Sequence, residues 1–415
     1  MKATIIIIGD EVLLGRVTDT NSGAISRALE PCGIGVVDIL TVHDDADDIR
    51  RAVERAMACS DIVVTTGGLG PTKDDITKKV LCELFGGKMV RDDSVTENIR
   101  RVFRDKNLQL NALTLDQALV PDCCRVIQNV YGTAPVMWFE KDGHVLVSMP
   151  GVPAETEGML VHPRGVIAAI RQHFAADMHF AHRTAIVTGI SESALAQLLD
   201  AFEQQLPDEA HLAYLPYSPI IKLRIDVRGT DAKSVEDTAD RCFDKLCGIV
   251  SDLLVARNDL SVAEILLDRL KAKNMTVGTA ESCTGGKIAS ALTAVPGASE
   301  SVMGGIVSYS NDVKHRVLGV PQQVLDTEGA VSRPPVEAML VGACRILGTD
   351  CAMATSGVAG PGGGTPEKPV GTVWVGARAG GVSDVRLYHF RGTRDAITNR
   401  AVTMAMLNLI SLLCK

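Results

Sequence analysis

At 415 residues the chain exceeds what one ordinary hydrophobic core sustains, so two or three domains are expected, and an apolar content of 46% suffices to build them. A net charge of −8 with no block of lysine and arginine argues against nucleic acid as the main partner. No uninterrupted apolar stretch reaches the roughly 20 residues that span a bilayer, and the eleven cysteines are scattered without a Cys-x-x-Cys pair, which favours buried thiols in a reducing compartment over a zinc or disulfide frame.

The chain opens on a β-branched run at 4–8 that breaks at once into Gly-Asp-Glu. That run is too short for a secretion signal, so a cytoplasmic protein is expected. Further runs at 36–42, 61–66 and 145–149 alternate with helical patterns at 20–31, 46–59, 76–85 and 93–105, and a longer helical pattern covers 153–173. Alternation of this kind predicts an α/β domain over residues 1–176, an open and mostly parallel sheet with helices on both faces. From 177 to 256 the pattern changes to a small α+β unit: strand 184–188, helix 192–205, strand 221–228 with one wet face, and helix 233–250. His211, Tyr214 and Tyr217 fall in a loop on this reading. Residues 257–415 make a third, α/β unit. Ser261 and Glu264 form a capping box for a helix at 261–272. Strands are expected at 276–280, 304–309, 351–355, 371–377 and 385–390, and a helix at 395–413 closes the chain.

Three segments of the first unit put glycines or carboxylates at strand ends: GDEVLLGRVTDTN, TTGGLGPTKDD and MPGVPAE. Ligands of open α/β sheets sit outside the carboxyl ends of strands, so the three are expected to converge. Gly67, Gly68 and Gly70 let backbone N–H groups approach an anion such as a phosphate. Asp74 and Asp75 follow one turn later, with Asp10 and Glu11 as companions, a set that suits a divalent cation, Mg²⁺ or similar. The plainer reading is that the two aspartates only charge a helix N-terminus. The glycines are not followed by Gly-Lys-Ser/Thr, so this is no Walker loop.

Together with VHDDADDIRRAV, these segments resemble the CinA family over the whole chain. The N-terminal domain of that family is similar to the molybdopterin-binding fold of molybdenum-cofactor biosynthesis proteins, and its middle domain is KH-like. The resemblance implies a metal-dependent ADP-ribose pyrophosphatase in the first unit, as reported for some members. Carried over, it implicates Asp10, Glu11, Asn21, Asp44, Gly67, Gly68, Gly70 and Glu155, with Asp74 and Asp75 on the metal. Two departures stand out. Val136 replaces the glycine usual in the family and is expected to narrow the pocket or bar close backbone approach, and the stretch 111–115 lacks the usual arginine. The middle unit carries no Gly-x-x-Gly backbone clamp and is expected to be a spacer rather than an RNA binder.

Residues 276–315 carry a second chemistry. An apolar run delivers Ser282 and Cys283 into a Thr-Gly-Gly turn that opens a helix, which presents a nucleophile beside free backbone N–H groups. A second run brings in Tyr309 and, five residues on, Lys314. A serine hydroxyl needs a base, and a lysine serves once burial lowers its pKa. AESCTGG, GGIVSYSNDVK, TSGVAGPGGGTPEKPVGTV and FRGTRDAITNR resemble the family's amidohydrolase domain, which deamidates nicotinamide mononucleotide to nicotinate mononucleotide and ammonia. The resemblance implies that Ser282 attacks, Lys314 takes its proton and Tyr309 orients or relays, with no cofactor. It places Thr284, Gly285 and Gly286 on an oxyanion or phosphate. Ser356, Gly357, Gly360 and Gly362 would wrap the nucleotide, and Arg394 and Arg400 would bind its phosphate. Cys283 is the rival nucleophile, though no nearby histidine serves as its base. The expectation is a homodimeric enzyme of small-molecule nucleotides with neither nucleic acid nor membrane as partner. The alternative is a regulatory nucleotide-binding protein with one or both sites silent; a molybdopterin-handling role would rest on fold analogy alone.

Overall fold

Four consecutive isoleucines explain the first strand. Lys2–Ile8 is buried on both faces, as a central parallel strand must be. In the computed structural model, which describes residues 1–72, 75–174 and 178–414, it lies second in a six-stranded sheet. The order is Gly35–Val42, Lys2–Ile8, Ile62–Thr66, His144–Met149, Val136–Lys141, Arg125–Ile127. The first four strands are parallel and the last two are added antiparallel. The period of two sorts the core. Ala3, Ile5 and Ile7 pack with Ile25, Leu29, Met159 and Val166 on one face, while Ile6 and Ile8 pack with Ile49, Val53, Leu81 and Ile99 on the other.

The structure corrects two expectations in this domain. The single helix expected over 153–173 is two helices, Pro153–Val161 and Val166–His173. The break falls at His162, whose extended backbone precedes Pro163 and whose successor segment ends in Gly165. Val136 does not narrow a pocket. It is fully buried in an antiparallel strand and belongs to the hydrophobic core with Ile25 and Trp138.

The middle segment forms a four-stranded sheet in the order Ala210–Tyr217, Ile220–Gly229, His179–Thr188, Leu254–Ala256, with helices Glu192–Glu203 and Ala232–Ile249. The residues expected in a loop, His211, Tyr214 and Tyr217, lie on a strand. The chain divides into two compact units, 1–182 with 207–211 and 226–241, and 183–206 with 212–225 and 242–415, so this segment contributes to both.

The C-terminal sheet has the order Val302–Val307, Val277–Glu281, Cys351–Gly357, Thr372–Ala379, Val382–His389. Its first three strands are parallel and its last two antiparallel. Helices Val262–Ala272 and Arg394–Leu413 cover one face, and Arg333–Leu347 covers the other. The closing helix is long and apolar enough to cross a membrane, but Ala401, Ala405 and Leu409 are buried in the core beneath it. Parallel pairing puts Glu281 opposite Val307, so the chain leaves both strands side by side at one end of the sheet. Ser282 follows one of these strand ends directly, and the helix that carries Lys314 follows the other.

Candidate active site

Ser282 is the first residue past its strand, and its N–H donates to the Thr355 carbonyl at 3.0 Å. Gly285 and Gly286 follow with φ of +62° and +97°, a left-handed path that favours glycine and turns the chain into the helix Lys287–Thr293. On the neighbouring strand end, Ser310 caps the helix Asn311–Arg316 by accepting from the Val313 N–H at 3.2 Å. That cap fixes Lys314 one turn in, with 1% of its surface exposed.

Three groups meet the Lys314 Nζ. It lies 3.0 Å from Ser282 Oγ, and it donates to the carbonyls of Ser308 at 2.7 Å and Tyr309 at 3.3 Å. Burial holds its pKa below that of an ordinary lysine. The neutral amine has two N–H donors and one lone pair. Two carbonyls can only accept, while the serine hydroxyl can accept or donate, so the cage satisfies the ammonium and also accommodates the neutral amine with its lone pair on the serine proton. Cys283 beside it is buried, and burial pushes its thiol up to about 11. It is a poor nucleophile there.

Tyr309 is largely exposed. Its hydroxyl accepts from Arg394 Nη2 at 3.3 Å, while its main-chain carbonyl is what touches Lys314. Arg394 also donates through Nη1 to the Gly360 carbonyl at 2.7 Å, which ties the glycine-rich segment to the site. Gly362 faces open space, whereas a Cβ on Gly357 would meet the Thr372 carbonyl at 2.6 Å. A Cβ on Gly360, which is buried with φ +79°, would strike Val370 Cγ1 at 2.6 Å, so Gly357 and Gly360 both serve packing and only Gly362 of the three is open.

Three expected contacts are corrected. Ser356 is buried and donates to the Ala330 carbonyl at 2.7 Å, so it pins a loop instead of wrapping a ligand. Arg400 donates to the Arg391 carbonyl at 2.5 Å and lines a groove with Tyr217, Lys287 and Asn399, whose lining omits Ser282, Tyr309 and Lys314. The start of the helix Lys287–Thr293 is not open to phosphate, because the buried carboxylate of Glu281 fills it. Glu281 accepts from the Thr284 hydroxyl at 2.7 Å and from the Gly286, Ile288 and Ala289 N–H groups at 3.0, 3.0 and 2.9 Å. Sequence reasoning passed over Glu281. Its signal was a carboxylate inside a strand that is otherwise apolar and small.

In the N-terminal domain a cleft of about 480 Å³ gathers Glu11, Asn21, Asp44, Gly67, Gly68, Gly70 and Asp75. Gly67 takes φ +114° and a Cβ there would strike the Ile8 carbonyl at 2.1 Å, so only glycine fits the turn. Asn21 donates to Thr66 Oγ1 and the Gly151 carbonyl, and its Oδ1 is buried with no partner among the described residues. Two expected members point elsewhere. Asp10 pairs with His43 at 2.7 Å, raising the histidine pKa, and Glu155 accepts from Asn129 at 2.7 Å. Asp74 lies outside the described residues. Asp75 accepts from the Gly70 and Thr72 N–H groups at 2.7 and 2.8 Å, which commits it to shaping the loop. Among the described residues no three of His, Cys, Asp or Glu form a metal-binding group.

A family model of the CinA C-terminal domain matches residues 259–413, one described as a probable molybdopterin binding domain matches 4–163, and one of the damage-inducible protein CinA KH domain matches 182–254. A CinA-like protein of Flavobacterium psychrophilum is 38% identical over 98% of this chain and 97% of its own, and one of Cytophaga hutchinsonii is 40% identical over 90% and 88%. Among solved structures, the competence/damage inducible protein CihA from Agrobacterium tumefaciens is 39% identical, covering 37% of this chain and 94% of its own with a TM-score of 0.36.

Proposed function

Since the chain belongs to the CinA family, we propose that its C-terminal domain hydrolyses the carboxamide of nicotinamide mononucleotide to nicotinate mononucleotide and ammonia. The observation that carries this reading is the Lys314 cage, a buried amine 3.0 Å from a serine hydroxyl with two carbonyls taking its protons. Ser282 Oγ attacks the amide carbon as Lys314 Nζ takes the hydroxyl proton. The carbonyl electrons move to oxygen, and the N–H groups of Cys283 and Thr284, which donate to no carbonyl among the described residues, are available to hold that charge. Collapse breaks the C–N bond, and the lysine proton leaves with ammonia. Water, deprotonated by the same amine, then cleaves the acyl-serine. With the helix start filled by Glu281, Arg394 is the cation at hand for the 5′-phosphate.

The test is ammonia release from nicotinamide mononucleotide by the wild type, Ser282→Ala and Cys283→Ala. Release by the wild type and Cys283→Ala but not Ser282→Ala is expected. Silence of all three folded proteins would favour the regulatory reading, in which the sites bind nucleotides without turnover. In the N-terminal cleft a binding role has its own support in the unpartnered Asn21 Oδ1 and in the commitment of Asp75 to its loop.

A further inference from the structure

The carboxylate of Glu281 is fully buried, yet its donors are all local. Oε2 receives the Thr284 hydroxyl and the N–H groups of Gly286 and Ile288, and Oε1 receives the Ala289 N–H at 2.9 Å and the Thr279 hydroxyl at 3.2 Å. Five donors on one carboxylate close the nucleophile turn onto the helix behind it. A buried charge with this many partners costs far more to disturb than a solvated one. The Glu281 main chain reaches the other half of the site. Its carbonyl accepts from the Ser308 N–H at 2.8 Å, and the Ser308 carbonyl is the shortest contact of Lys314 Nζ, at 2.7 Å. One residue thus holds both the turn that presents Ser282 and the strand end that holds its base.

We infer that Glu281 is a positioning residue for the Ser282–Lys314 pair: its side chain sets the 282–286 turn and its carbonyl sets the strand end at Ser308. The role rests on the serine–lysine chemistry proposed above but not on the identity of the substrate. Glu281 touches neither substrate nor Ser282 Oγ. It acts by closing off the turn geometries in which the hydroxyl would drift from the lysine, and reacting groups lose rate steeply with small misplacement. It also removes the helix start as an anion site, since a phosphate placed there would face an existing negative charge with its N–H groups already taken.

Glu281→Gln tests this. The amide keeps the shape but must turn an NH₂ toward N–H donors that need an acceptor. We expect the folded variant to lose about 10- to 100-fold in kcat, the scale of one or two charge-assisted hydrogen bonds, with KM for nicotinamide mononucleotide little changed. Labelling of Ser282 by a fluorophosphonate should slow by a similar factor, a readout that needs no particular substrate. A purely structural role predicts a lower Tm with kcat and labelling rate unchanged well below it, and that result overturns the inference. If Glu281→Gln does not fold, Thr284→Val removes one donor from Oε2 and should slow labelling several-fold; wild-type labelling in that variant also overturns it. Wild-type protein that labels at Ser282 without releasing ammonia would refute the substrate assignment and leave the labelling comparison to decide the role of Glu281. Wild-type protein that does not label at all would overturn both.

Discussion

Replacing Lys314 by methionine isolates the base. Methionine is unbranched and fills a lysine's path through the core, so packing is largely kept while the amine is lost. Removing a positioned general base costs about 10²- to 10⁴-fold in rate. The second effect is on pH. Burial lowers the Lys314 pKa in the folded chain, whereas in the unfolded chain a lysine stays protonated to about pH 10.4. Activity should therefore rise with pH through the lowered value as the amine becomes neutral. Stability should rise as well between the lowered value and about 10.4, because the unfolded chain then binds a proton that the folded chain has released. Below the lowered value both states are protonated, and the cost of burying the ammonium is present in full. Lys314→Met should remove both slopes. It leaves the Ser308 carbonyl without its 2.7 Å donor, at about 1–3 kcal/mol, and relieves the buried charge in exchange. The assay is ammonia release as a function of pH, from the acid side up to the unfolded lysine's value, beside thermal melts at the same pH values. An acid limb that persists in Lys314→Met would refute the assignment of the base. Lys314→Arg, whose guanidinium keeps its proton throughout, should be as inactive as the methionine variant.

Arg394→Ala should raise KM for nicotinamide mononucleotide through lost phosphate contact and through release of the Gly360 carbonyl, whereas Arg400→Ala should leave KM near wild type; equal effects would return Arg400 to the site. Val136→Gly should destabilise the N-terminal domain by about 3 kcal/mol, from a core cavity and a weakened strand, without improving nucleotide binding in calorimetry. Tighter binding in that variant would contradict its placement in the core.

Much of the molecule was legible because local signals agreed with tertiary need. The capping box at Ser261 and Glu264 forms as the sequence implies. The glycine segments converge in the first domain, and Ser282 meets Lys314. What escaped had no period to read. Arg333–Leu347 is apolar nearly all round after two prolines, so its helical face does not stand out. Ala210–Tyr217 contains a proline and three polar side chains and reads as a loop until a neighbouring strand supplies its ladder. The structural roles of Asp75 and Glu281 were hidden for another reason. Most partners of these two carboxylates are backbone N–H groups, which every sequence has and no sequence displays.

The burial of Cys283 sets how this protein meets thiol chemistry. A sulfhydryl held near 11 and shielded from solvent is scarcely ionised at neutral pH, and only the thiolate reacts readily with alkylating agents or peroxide. Iodoacetamide should mark outlying cysteines such as Cys59 and Cys414, both exposed, and leave turnover running. A catalytic turn with a cysteine next to its nucleophile would then be invisible to cysteine profiling, and its engagement by inhibitors would have to be followed through the serine. The same shielding frees the exposed cysteines to carry fluorophores or spin labels while the site keeps working.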